Sequence, residues 1–98
     1  MRASFDRDRL VDFCQKWHIR RLALFGNALD DEAPPDAELD VLVTFALGFL
    51  PGHFRKIEMS FELSAMIDRR VVLRTPEELT RAYRMKVLES AQVLYQAD

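Results

Sequence analysis

The chain has 98 residues, 49% of them hydrophobic, with 14 basic and 16 acidic side chains and a formal net charge of -2. That length gives one domain, residues 1-98, with a core of modest size, and the charge balance argues against a nucleic-acid binder working by bulk electrostatics. The single Cys14 argues against a disulfide framework or a thiolate-rich metal site, and the lack of an apolar leader or membrane-spanning run sets the expectation of a cytoplasmic protein.

In chain order, Ser4 is an expected N-cap, followed by Asp6 and Asp8, where the helix dipole favours negative charge. Leu10, Phe13, Cys14 and Trp17 recur at helical spacing and predict a helix from about Phe5 to Trp17, with His18 at its end. Leu22, Leu24 and Phe25 form a short buried strand that Gly26 ends. Asp30 to Ala37 is an acidic loop whose Pro34-Pro35 fits neither helix interior nor central strand.

Glu38 to Phe45 is the second strand, and 47–52 a turn-rich linker. Phe54, Ile57, Phe61 and Ala65 fall near one helical face over His53 to Ile67. Leu63, Met66 and Ile67 widen it, which predicts a well-buried helix. Arg70 to Arg74 is a third strand. Thr75-Pro76-Glu77-Glu78 reads as a helix start with Thr75 as N-cap, Pro76 at the first position and Glu78 completing a capping box. A last helix is expected from there to about Tyr95, carrying Leu79, Ala82, Tyr83, Val87 and Leu94. No Pro or Gly interrupts it, though tertiary packing is free to break it once. The order helix, strand, strand, helix, strand, helix implies an α+β fold, a small mixed β-sheet with helices packed on one face.

The chemistry concentrates at Gly26-Asn27 and at Glu38-Leu39-Asp40. Strand alternation sends Glu38 and Asp40 to one face and Leu39, Val41, Val43 and Phe45 to the opposite, buried one. Two like charges side by side repel, and folding alone does not ask for them. A divalent cation bridged to a phosphate accounts for both. The competing reading is a solvated strand face with no ligand, and Gly26-Asn27 alone is most often just a turn. His18 and His53 lack a partner at a recognised ligand spacing and read as surface or structural residues.

These motifs resemble the polymerase-β-like nucleotidyltransferases: a strand, a Gly-Ser turn, a loop, then Asp-x-Asp opening a second strand. The small size resembles the minimal nucleotidyltransferases (MNT proteins). The tail Val71-Val72-Leu73-Arg74-Thr75-Pro76-Glu77-Glu78-Leu79 is similar to the family's usual ending. The resemblance implies that Gly26 and Asn27 hold a nucleotide triphosphate and that Glu38 and Asp40 are catalytic and hold Mg²⁺. For an active protein it implies Mg²⁺ and ATP as cofactors; a member without the chemistry needs neither.

The chain departs from the pattern at several positions. Asn27 stands for the usual Ser, Asp30 for the usual Arg, Glu38 for the first Asp, Ala37 for a small polar residue and Val72 for the third acid. Valine can neither ligate a cation nor accept a proton. Arg74, on the face of Val72 by alternation, is expected to pair with Glu38 and Asp40 in place of a metal ion if that face looks toward them.

Two functions follow from the resemblance. One is a protein with impaired or lost catalysis that acts through a partner, antitoxin-like, with a HEPN-type toxin as the implied partner. The alternative is an active Mg²⁺-dependent transferase that moves a nucleotide from ATP to a hydroxyl on the partner. A third reading is a structural domain in a homo-oligomer, with Phe45, Leu47, Phe49 and Leu50 either forming the interface or packing in the core.

Overall fold

Asp6 caps the first helix. Its carboxylate accepts from the backbone N–H of Asp8 at 2.9 Å and of Arg9 at 3.3 Å, two of the donors a helix start leaves unpaired. The helix, α1, spans Arg7–Lys16. The expected cap at Ser4 lies outside residues 6–97, which this computed structural model describes. The chain reverses at His18, whose φ of 55° is in the left-handed region, and enters β1, Ile19–Phe25. A 3₁₀ turn over Gly26–Leu29 and a turn-rich loop lead to β2, Leu39–Phe45. Then come α2 (His53–Ile67), β3 (Val71–Arg74), a 3₁₀ turn (Pro76–Glu78), α3 (Arg81–Ser90) and β4 (Gln92–Gln96).

The sheet order is β3-β2-β1-β4. β1 pairs antiparallel with both β2 and β4, while β2 and β3 are parallel and joined through α2, the kind of crossover a parallel pair requires. One face of the sheet carries the main core. Leu22 and Leu24 of β1 and Leu39, Val41 and Val43 of β2 meet Leu10, Phe13 and Cys14 of α1, Trp17 just after it, and Met59, Leu63 and Ile67 of α2. Phe45 packs against this cluster, as the alternation of β2 requires. A small second cluster forms where Val87 of α3 meets Phe25 and Leu42.

Three expectations change. The stripe Phe54, Ile57, Phe61 does not face the core: Phe54 is 81% and Phe61 72% exposed, and α2 turns Met59, Leu63 and Ile67 inward instead. Leu47 and Leu50 are also fully or nearly exposed, while the Phe45 and Phe49 rings meet tilted at 56°, with centroids 5.5 Å apart.

The last helix is broken. Thr75 makes no side-chain cap bond, Glu78 forms ion pairs with Lys56 and Arg74 in place of a capping box, and only a 3₁₀ turn follows. The true N-cap is Thr80, which accepts from the Tyr83 N–H at 3.3 Å. α3 then stops at Ser90, because the following residues are taken up as β4 on the free edge of β1, where Leu22 pairs with Tyr95 and Leu94 enters the main core.

Candidate functional site

The second face of the sheet holds the site. Register places Asp40 directly beside Phe25 of β1 on one side and Val72 of β3 on the other, and the next row is Ala23, Leu42 and Arg74. Residues in register share a face. The carboxylate of Asp40 therefore rises from a row whose other members are apolar.

Gly26 follows Phe25 with φ of 57°, a left-handed conformation that glycine adopts without strain. The bend folds back onto Asp40, and the Asn27 N–H donates to its Oδ2 at 3.1 Å. A Cβ on Gly26 would lie 2.5 Å from that same oxygen. Glycine is required here on two counts, the sign of φ and the closeness of the carboxylate. The half-buried Asp40, the bend and the backbone of Asn27 thus form one locked unit, while the Asn27 side chain stays exposed.

Glu38 stands one residue ahead of β2, exposed, and forms no hydrogen bond or ion pair among the described residues. Val72 sits in register with Asp40, at the position where the sequence pattern implies a third acid. Among the described residues, no group of three or more His, Cys, Asp or Glu gathers to hold a metal ion.

Arg74 shares the face but lies beside Leu42, and its ion pair is with Glu78 at 4.0 Å, not with Glu38 or Asp40. The idea that its guanidinium takes the metal's place is therefore not what the geometry gives. The pair is half-exposed and contributes little to stability.

Tyr83, which the sequence assigned to packing along the last helix, stands edge-on to Phe25 with ring centroids 6.3 Å apart, so α3 borders the site. Sequence reasoning missed this neighbour because nothing in the spacing of α3 shows which sheet face it covers. A groove of about 450 Å³, lined by 43–51, Lys56 and 75–77, lies toward the C-terminal end of β2, away from Asp40 near its start. Its walls are mostly apolar, without the carboxylates of the Gly26–Asp40 unit. No helix among the described residues is long and apolar enough to cross a membrane.

Comparison with known proteins fits this geometry. No curated protein matches the chain. Among solved structures it is similar to a toxin–antitoxin crystal structure with AMP-PNP, at TM-score 0.73 and 14% identity over 95% of this chain and 75% of that one. It is similar to a candidate minimal nucleotidyltransferase at TM-score 0.70 and 26% identity, over 87% of this chain and 85% of that one. A third likeness, TM-score 0.64 and 14% identity over 93% and 70% of the two chains, is to a complex of the tri-AMPylated Shewanella oneidensis HEPN toxin with its MNT antitoxin. The likenesses at 14% identity speak to the fold alone. Residues 8–94 match the sequence pattern of the nucleotidyltransferase domain, which takes in both the Gly26 bend and the Glu38-x-Asp40 pair, and the chain belongs to that family.

Proposed function

We propose that this nucleotidyltransferase-family protein acts by binding a partner protein of the HEPN-toxin kind, in the manner of an antitoxin, with its capacity for nucleotidyl transfer impaired or lost. One observation carries the reading: the cross-strand neighbours of Asp40 are Val72 and Phe25, so no third carboxylate stands beside it.

The residues present do not fit the Mg²⁺ site that the family implies. Divalent ions in transfer sites are held by several hard oxygen donors at once. Here one oxygen of Asp40 accepts from Asn27, Glu38 is solvent-exposed, and Val72 supplies no donor. The neighbours solved as toxin–antitoxin complexes support the partner half of the proposal.

The alternative, an active transferase, draws support from one feature. The Gly26 bend remains clamped on Asp40, which keeps backbone donors and a carboxylate together.

Co-purification with a HEPN-type toxin tests the proposal. A stable complex that neutralises the toxin, and does so equally well with Asp40→Asn, is expected. Neutralisation that is lost with Asp40→Asn, while the complex still forms, would overturn it.

A further inference from the structure

We infer that residues 75–91, which carry α3, are a strap that lifts off the second face of the sheet while the sheet stays folded, uncovering Phe25 and Leu42 beside Asp40. The strap leaves β3, the edge strand at one side of the sheet, and rejoins it as β4, the edge strand at the other. Those edges are three strand spacings apart, about 14 Å. Fully extended, 75–91 reaches more than about 50 Å, so lifting it requires neither edge strand to leave the sheet.

Little holds the strap down. Val87 is the one buried side chain of α3. It meets Phe25 and Leu42, with Leu79 and Ala91 of the same strap packed alongside. Tyr83 adds an edge contact to Phe25 and is itself 45% exposed. Among the described residues, the main core takes nothing from 75–91, so lifting the strap leaves that cluster intact.

Polar bonds do not tie α3 to the sheet either. Arg84 donates to the carbonyls of Pro76 and Leu79 at 2.8 and 3.3 Å, Ser90 donates to that of Lys86, and the Tyr83 N–H donates to Thr80, all inside the strap. Among the described residues, no hydrogen bond or ion pair joins 81–90 to the sheet, α1 or α2. The start of the strap is held by the ion pairs of Glu78 with Lys56 and Arg74, at 3.6 and 4.0 Å. These are partly exposed and contribute little. A ten-residue helix is marginal in water by itself, so α3 frays once it lifts and its amides exchange. Closed, the strap shuts off the apolar floor next to Asp40. Open, it leaves that floor and the Gly26–Asp40 unit accessible together.

Hydrogen exchange of the whole chain is the test. Relative to unstructured rates, α3 amides are expected to exchange at least about a hundredfold faster than the slowest amides of β1 and β2, yet more slowly than an unstructured chain. Leu63→Ala weakens the main core away from the strap. It is expected to speed the slowest β1 and β2 amides about thirtyfold or more and to leave α3 within about twofold. Val87→Ala loosens the closed strap and is expected to speed the α3 amides about tenfold. Should Leu63→Ala fail to fold, sub-denaturing urea on the unaltered chain makes the same division. The slowest β1 and β2 amides then accelerate steeply, while α3, whose lifting exposes little surface, hardly responds. α3 amides that keep pace with β1 and β2 would overturn the inference, because the strap would then open only when the whole domain unfolds. So would α3 amides that exchange as an unstructured chain does, because no closed strap would then exist.

Discussion

Replacing Gly26 by alanine tests the locked bend quantitatively. At φ of 57° an L-residue pays roughly 1–2 kcal/mol for the left-handed conformation. The new Cβ would stand 2.5 Å from Oδ2 of Asp40, so the carboxylate must swing away and release the Asn27 N–H. That bond is partly exposed, so about 1 kcal/mol is a fair figure for its loss. The sum, roughly 2–3 kcal/mol, is a large share of the about 5–15 kcal/mol expected for a domain this size.

Asp40→Ala separates the two terms. It removes the atoms at 2.5 and 3.3 Å and leaves only the Asp40 Cβ at 3.6 Å, an ordinary contact. In that background Gly26→Ala should cost only the backbone term, roughly 1–2 kcal/mol. Urea denaturation of the four proteins gives the coupling, expected at about 1 kcal/mol. An equal cost of Gly26→Ala in both backgrounds would refute the clamp.

Other outcomes follow from the same structure. Leu63→Ala, at a fully buried position of α2, should cost about 2–5 kcal/mol, whereas Phe54→Ala on the exposed stripe should fall within about 0.5 kcal/mol. A larger cost at Phe54 than at Leu63 would invert the assignment of the helix faces. Burial pushes the Cys14 thiol up from 9.0 to about 12. Its folded-state pKa is above its unfolded one, so its contribution is constant below about pH 9 and stability falls as pH rises toward about 12. Cys14→Ala should flatten that alkaline slope in chemical denaturation, and an unchanged slope would contradict the burial argument. Titration calorimetry with Mn²⁺ should show no saturable binding tighter than about 1 mM, given so few carboxylate donors.

Much of this arrangement was legible in the sequence. The bounds of α2, His53–Ile67, follow from periodicity, and the core face of β2 follows from alternation at Leu39, Val41 and Val43. Gly26 ends β1 as its residue type suggests. The inward face of α2 was less legible, because apolar residues lie nearly all round it. The sheet chose Met59, Leu63 and Ile67 and left Phe54 and Phe61 in water, a choice made by tertiary packing.

The break before β4 had no Pro or Gly to announce it. The signal was weaker: Gln92-Val93-Leu94-Tyr95-Gln96 contains β-favouring side chains, and the open edge of β1 supplied the hydrogen-bonding partner. At the site, the sequence spacing of Glu38 and Asp40 set the expectation of a common side, and the structure places Glu38 one residue ahead of β2, exposed to solvent. The spacing gave no hint that Asp40 is bound by the Asn27 backbone, a contact between residues 13 apart in the chain.

Nucleotidyl transfer to a HEPN-type partner is the activity on which the proposed binding role and the active-transferase alternative differ. Incubating the protein with labelled ATP, Mg²⁺ and the purified HEPN-type toxin measures that directly. No label on either protein beyond that seen with the toxin alone is expected. Label that accumulates on the toxin, and disappears with Asp40→Asn, would contradict the proposed binding role.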